Sequence, residues 1–527
     1  MKKQSNISIG LLIFIAVFGI TNIPNNYAAI GSEALSWFVL LPLYFIPIAL
    51  IMAEMASYDA TTSSGISRWV EIGTTKKIAF LCGWAYFIEN VFYLPTIASR
   101  IPVFLSWVFA PIDSLDTVVD QSGNIKGIIN ATDSQGLFLL LAFVTMIIGV
   151  VISINFEKIF EKIGKYIGGL SLVIAFIFIL FTVLSVIVLP HQAAYPLTVD
   201  NVRPTFAPET ISTLVWIIFA IGGVETIGSV VNKVDNPQKR IPKVITIGSI
   251  LVIIAYAVGV LGISFIMTPD QLSTDALENA IPVVFAQLGL TYGLHGFWGV
   301  VFLKFIMLGQ VFITISAIVL WLVTTINVLF IDSEKGIFPK IIEKKDKQGR
   351  PVNAMIFTVV LVLLFLLIIS SATFSNIYYV LYDMSTISVV IPFVLLLISY
   401  INFKRKNEAG TYVFIKDKKW AMVVGTILLV ITSFAFIFGV VDPTYLANGQ
   451  IQEAISWFII SFGGMAIFMV IGYALYLRKT QIILSDVILI ALFLISIIIF
   501  NLIILLLVVI FFIIILIVDI KNQKKVN

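Results

Sequence analysis

Residues 14–31 read FIAVFGITNIPNNYAAIG, and residues 212–231 read STLVWIIFAIGGVETIGSVV. Each stretch is apolar at its ends and long enough to cross a bilayer, yet its middle is a poor uninterrupted helix. In the first, Gly19, Thr21, Asn22, Pro24, Asn25 and Asn26 stand where a lipid-facing helix would carry Leu or Ile. Pro24 cannot donate to the backbone ladder and disfavours the helical conformation at Ile23, and the polar side chains offer local bonds that compete with helix. In the second, Gly222 and Gly223 are paired just before Glu225. Non-helical backbone inside a membrane is tolerated only where it lines a cavity, because unpaired N–H and C=O groups cost several kcal/mol against lipid. Two breaks therefore predict one pocket. Taken alone, the glycine pair reads equally well as a close helix-packing site.

The rest of the chain agrees with a membrane setting. Of 527 residues, 60% are hydrophobic and 12% charged, against roughly 25% charged in a soluble domain, and the mean hydropathy is +1.07. Such a chain cannot cover a water-soluble surface, and its apolar residues are spread too widely for a single-span receptor. Apolar segments fall at about 7–31, 35–57, 78–109, 136–154, 165–189, 209–231, 244–267, 297–328, 353–373, 377–401, 420–440 and 452–477, which predicts twelve spans. No small-residue cleavage site follows MKKQSN, so the first is read as a retained span. With the N-terminus inside, every one of the 33 Lys and Arg residues lies on the inner side except Lys126 and Arg203 in outer loops and Arg100 and Lys304 within spans. That is the positive-inside pattern of a multi-pass membrane protein with both termini cytoplasmic; the expected location is a plasma (inner) membrane, of a bacterium.

Residues 482–518 are almost unbroken apolar sequence and as one helix would be about 55 Å long against a core of about 30 Å. A hairpin turning near Asn501 returns Lys521, Lys524 and Lys525 to the inside. The expected organisation is a twelve-span core over residues 1–480 and two short spans with a basic tail over 481–527; one long tilted helix is the alternative. The breaks fall in the first and sixth spans, equivalent members of two five-span halves at about 7–189 and 209–401, the pattern of an inverted-repeat transporter. Half-helix N-termini then offer N–H groups to a carboxylate, and unwound carbonyls accept from an ammonium.

Several motifs carry a family resemblance. FAIGGVETIGSVVNKVDNPQKRIPK (residues 219–243) resembles the FAxxGxE segment and following NP-x-[KR]-x-[IL]-P loop of the amino acid-polyamine-organocation (APC) superfamily, here Asn236, Pro237, Lys239, Arg240, Ile241 and Pro242. IALIMAEMAS (residues 48–57) resembles the family's AEM segment, with Gly65 and Trp69 placed as in the loop that follows. NIPNNYA in span 1, and TYVFIKDKKWA (residues 411–421), are most similar to the glutamate/GABA antiporter group. The resemblance implies an all-α, LeuT-like five-plus-five fold with substrate held between spans 1, 3, 6, 8 and 10. It implies backbone contacts around Ile20, Thr21, Asn22 and Ile23, carbonyls of Phe219, Ala220 and Gly222, the Phe219 ring as a lid, and Glu225 as a gate or coupling acid. Some proton-coupled relatives carry a lysine inside span 5. Residues 166–189 hold no charged side chain here, which favours exchange over proton symport.

Ionisable residues at membrane depth cost about 2.5–3.5 kcal/mol each at a helix centre, so each is a functional candidate. Glu225 leads, beside the expected break. Lys304, in GVVFLKFIML, meets either a substrate carboxylate or Glu89 of span 3, and Glu89 reads more readily as that partner than as a ligand. Arg100, nearer the outer end of its span, is read as snorkelling to the interface. Asp383 in span 10 is a further possible charge partner, its role open. Trp84, Tyr86, Trp216, Tyr378, Tyr379 and Tyr382 are each read as packing or interface anchors. No hydrolase, zinc-protease, Walker or dinucleotide motif occurs in a suitable context. One cysteine, Cys82, and two histidines exclude an internal disulfide and a Cys/His metal cluster. The expected function is a secondary amino acid transporter working by exchange on an amino acid or amine, with no enzymatic activity, cofactor or nucleic acid partner. A channel-like conduit or a non-transporting amino acid sensor on the same fold are the alternatives.

Overall fold

A chain this apolar must satisfy its backbone within each segment, and helices do so. The computed structural model is all-helical, with no strand among the residues it describes: Phe14 and residues 17–58, 65–117, 135–155, 157–188, 193–227, 236–272, 279–331, 336–347, 349–369, 374–406 and 408–477. The main helices are α1 (Asn22–Ile30), α2 (Glu33–Leu40), α3 (Pro42–Tyr58), α4 (Ile66–Gly73), α5 (Lys76–Phe109), α6 (Gln135–Asn155), α7 (Glu157–Val188) and α8 (Pro208–Phe219). They continue as α9 (Pro237–Ile266), α10 (Ala280–Thr291), α11 (Gly296–Ile326), α12 (Val352–Ile369), α13 (Phe374–Arg405), α14 (Lys418–Val441), α15 (Ile451–Phe458) and α16 (Gly464–Leu477). Among the described residues, eight helical stretches are long and apolar enough to cross a membrane. The expected hairpin at 481–527 lies outside the described residues, as do residues 228–235.

Helix α5 is the axis of the molecule. Its first turn is capped by Thr75, whose hydroxyl accepts from the Ile78 N–H, and it runs 34 residues, about 51 Å at 1.5 Å per residue. It packs against α11 and α13 along most of its length. Small residues permit close approaches: a Cβ at Gly472 of α16 would lie 2.2 Å from the Trp84 ring, and one at Gly262 of α9 would lie 2.1 Å from Thr182 of α7. Reading spans by bilayer length passes over α10, whose 12 residues are too few to cross. Its apolar face is nonetheless buried, and the Trp107 indole N–H of α5 donates to Asn279 at its start.

At one end of the molecule the two family-marking segments 48–57 and 411–421 meet. Glu54, fully buried in α3, accepts from Lys404 of α13, from the Tyr400 hydroxyl at 3.3 Å and from the Phe414 N–H at 3.1 Å. The Tyr412 N–H donates to Ser57 Oγ at 3.0 Å, and Gln238 of α9 exchanges two hydrogen bonds with Val413. A buried charge this well supplied with donors holds two helices and a loop together.

Candidate functional site

Both expected breaks are present. The first lies at Phe18–Thr21, three to six residues before Pro24, and α1 starts afresh at Asn22. Pro24 is therefore not the breaker: it sits in the first turn of α1, where its missing N–H leaves no bond unmade. The second follows Phe219, with turns over 220–223 before one tight helical turn at Val224–Ile227. Gly223 adopts φ of +97°, a region that side-chain-bearing residues avoid, so this glycine is required by the turn. A Cβ on Gly222 would stand 3.0 Å from the Phe219 carbonyl.

Tyr256 of α9 joins the two breaks. Its hydroxyl accepts from the Gly19 N–H at 3.1 Å and from the Asn22 amide at 3.0 Å, and it donates to the Ala220 carbonyl at 2.9 Å, with the Val17 carbonyl at 3.3 Å. One phenol thus satisfies backbone groups that each helix lost by breaking. Nothing in LVIIAYAVGV marks this tyrosine except a polar atom at mid-span.

The breaks open onto a cavity of about 200 Å³, smaller than the roughly 300–1,000 Å³ of drug-sized sites. Its occupant must be small. Gly19, Ile20, Thr21 and Asn22 line it from the first break, and Phe219, Gly222 and Glu225 from the second. Helix α5 contributes Tyr86, Glu89, Tyr93, Ile97 and Arg100, while α11 contributes Gln310, Thr314 and Trp321. Glu225 accepts from the Tyr86 hydroxyl at 2.8 Å and from the Gly223 N–H at 3.1 Å. Glu89 accepts from Asn90. The Phe219 ring meets Tyr93 and Tyr382 edge-on, with centroids 5.3 and 5.7 Å away, and Tyr93 meets Trp321 at 5.7 Å. Aromatic edges therefore wall the apolar middle of the cavity.

Four expected site residues are placed elsewhere. Ile23 is fully buried and packs at Gly259 of α9, since the turn of α1 carries it away from the cavity. Ala220 directs its carbonyl to Tyr256. Lys304 meets neither the cavity nor Glu89: its ammonium donates to the Ala110 carbonyl at 2.8 Å, at the C-terminal end of α5. A flexible four-carbon stem lets this cation reach the negative end of a helix dipole. Asp383 accepts from the Trp216 indole N–H and has no cationic partner among the described residues. Arg100 differs in the opposite sense. It does not snorkel, being 9% exposed with its guanidinium donating to Thr21 Oγ1 at 3.4 Å. The spacing Tyr86, Glu89, Tyr93, Ile97, Arg100 recurs every three or four residues and marks one helix face.

Residues 5–466 match the amino acid permease family. The chain is 25% identical over 456 residues to an aspartate/glutamate permease of Lactococcus lactis subsp. cremoris (strain MG1363), covering 85% of this chain and 90% of the relative. It is 25% identical over 500 residues to an inner membrane transporter of Escherichia coli (strain K12), covering 90% and 96%. A glutamate/gamma-aminobutyrate antiporter of Lactococcus lactis subsp. lactis (strain IL1403) is 22% identical over 451 residues, 83% of each chain. With two interrupted helices facing one small cavity and a family match over most of its length, the chain belongs to the amino acid permease family of the APC superfamily.

Proposed function

We propose that this protein is a secondary active amino acid transporter that exchanges its substrates by alternating access, on a twelve-span, LeuT-like five-plus-five core with both termini cytoplasmic. The observation that carries the reading is the Tyr256 junction: one hydroxyl on α9 bonds both broken helices, so that α1, α8 and α9 can move as a unit around the cavity. The N–H groups just before α1, at Ile20 and Thr21, face the substrate carboxylate, with Asn22 beside them. The carbonyls of Phe219 and Gly222 take the ammonium, and the Phe219 ring closes over it. Glu225 changes its hydrogen bonds or its proton as the second break moves. The names of the relatives support acidic amino acids and their amine counterparts as the substrate class.

Purified protein in proteoliposomes tests this reading. Vesicles preloaded with L-glutamate should take up labelled L-glutamate far faster than empty vesicles, with L-glutamine and gamma-aminobutyrate competing in proportion to their fit. Equal uptake with and without internal substrate would point to a conduit, and binding without flux to a sensor. Either result sinks the exchange reading.

A further inference from the structure

We propose that Arg100 is a binding residue for the substrate carboxylate, and that it makes the cavity select carboxylate-bearing molecules over amines without one. The proposal rests on the transporter reading above for its physiological meaning, but on the cavity alone for its chemistry.

The charges of the cavity are sorted along its length. Glu89 and Arg100 lie on one face of α5, eleven residues apart, which is about 16 Å along the axis. Tyr93 and Ile97 separate them. Helix α11 runs antiparallel to α5, because Lys304 meets Ala110 while Trp321 meets Tyr93. That register sets Thr314 level with Arg100. One end of the cavity therefore gathers Arg100, Thr21 and Thr314, and the other gathers Glu89, Glu225 and the Tyr86 hydroxyl.

A second feature converges on the Arg100 end. Thr21, which accepts from the guanidinium, is the residue immediately before α1, so the positive end of that nine-residue helix and the guanidinium address the same point. A guanidinium presents two parallel N–H groups that match a carboxylate, and at a buried side chain such a bond is stronger than in water. An amino acid bound there directs its ammonium toward the carboxylates of the other end. A diamine places a cation against Arg100 and is rejected.

The test compares the parent with Arg100→Lys and Arg100→Met, using L-glutamate, L-glutamine and 1,4-diaminobutane. In Arg100→Met the half-saturating concentration of both amino acids should rise about 10- to 100-fold, the loss of one charge-assisted hydrogen bond. Uptake of 1,4-diaminobutane should not fall. Arg100→Lys keeps the charge, loses the fork and should lie between. Equal losses for all three compounds, or no loss for the amino acids, overturn the proposal. Melting-temperature shifts of the purified proteins in each compound read binding without transport. A shift by L-glutamate in the parent that Arg100→Met abolishes supports the proposal even where exchange itself fails. The same shift in both proteins, or in neither, overturns it.

Discussion

Two groups of buried carboxylates in this protein are treated in opposite ways. Glu54 is met by an ammonium, a phenol and a backbone N–H, so its charge is fully supplied with donors. Glu89 and Glu225 are also buried, yet the donors that reach them among the described residues are neutral, Asn90 for one and, for the other, groups that include the Tyr86 hydroxyl and the Gly223 N–H. A charge removed from water is costly unless it is paired, and the cost persists only where the charge has a use. Glu54 holds α3, α13 and the 411–415 loop in place. Glu89 and Glu225 instead wall the cavity, in which the proposed transport cycle places the substrate ammonium.

The contrast predicts that removing one charged side chain costs mainly stability at the paired site and mainly transport at the cavity. The largest effect is expected at the paired site. Lys404→Met strands the Glu54 carboxylate and should cost about 3–5 kcal/mol of stability, seen as a markedly lower melting temperature in detergent. Adding Glu54→Gln should restore much of that loss, because the second change removes the uncompensated charge. A double variant no more stable than Lys404→Met alone would break the comparison at its stronger end.

A smaller effect on the fold, and a larger one on transport, is expected in the cavity. Glu225→Gln keeps the size of the side chain and an oxygen for the Tyr86 hydroxyl while removing the unpaired charge, so stability should stay within about 1 kcal/mol of the parent or rise. Exchange should slow by about 10-fold or more, roughly 1.4 kcal/mol in the barrier. Parent-like exchange rates in this variant would remove Glu225 from the cycle.

How much of this was legible in the sequence follows from what each feature depends on. The two breaks were, because glycine pairs and polar runs inside an apolar span have no place against lipid. The site of the first break was not read correctly: proline in the first turn of a helix looks the same in sequence as proline that ends one, and only the start of α1 at Asn22 separates them. Tyr256 and Arg100 were missed for a different reason. Their roles depend on which helices face one another, and a local pattern does not contain that. Glu54 was visible only as part of a family motif. Its partners lie about 350 residues away in the chain, so its structural role had no local signal.

The smallest expected effect belongs to Lys304, which the sequence placed among the binding residues. Its ammonium lies on the Ala110 carbonyl where α5 ends, and its side chain is only partly buried. Removing it takes away one charge-assisted hydrogen bond and one favourable contact with the helix dipole, and leaves no buried acid behind. Lys304→Met should therefore cost about 0.5–1.5 kcal/mol of stability, with uptake of L-glutamate and L-glutamine changed to the same small degree. Adding Glu89→Gln should give no rescue, since the two residues are not paired. The comparison of Lys304→Met with Arg100→Met is the sharper measurement: both delete a cation at membrane depth, but only the second lines the cavity. A loss of L-glutamate uptake in Lys304→Met that exceeds its loss of L-glutamine uptake about 10-fold would return Lys304 to the binding site and show that position against the cavity wall does not decide which cations meet substrate.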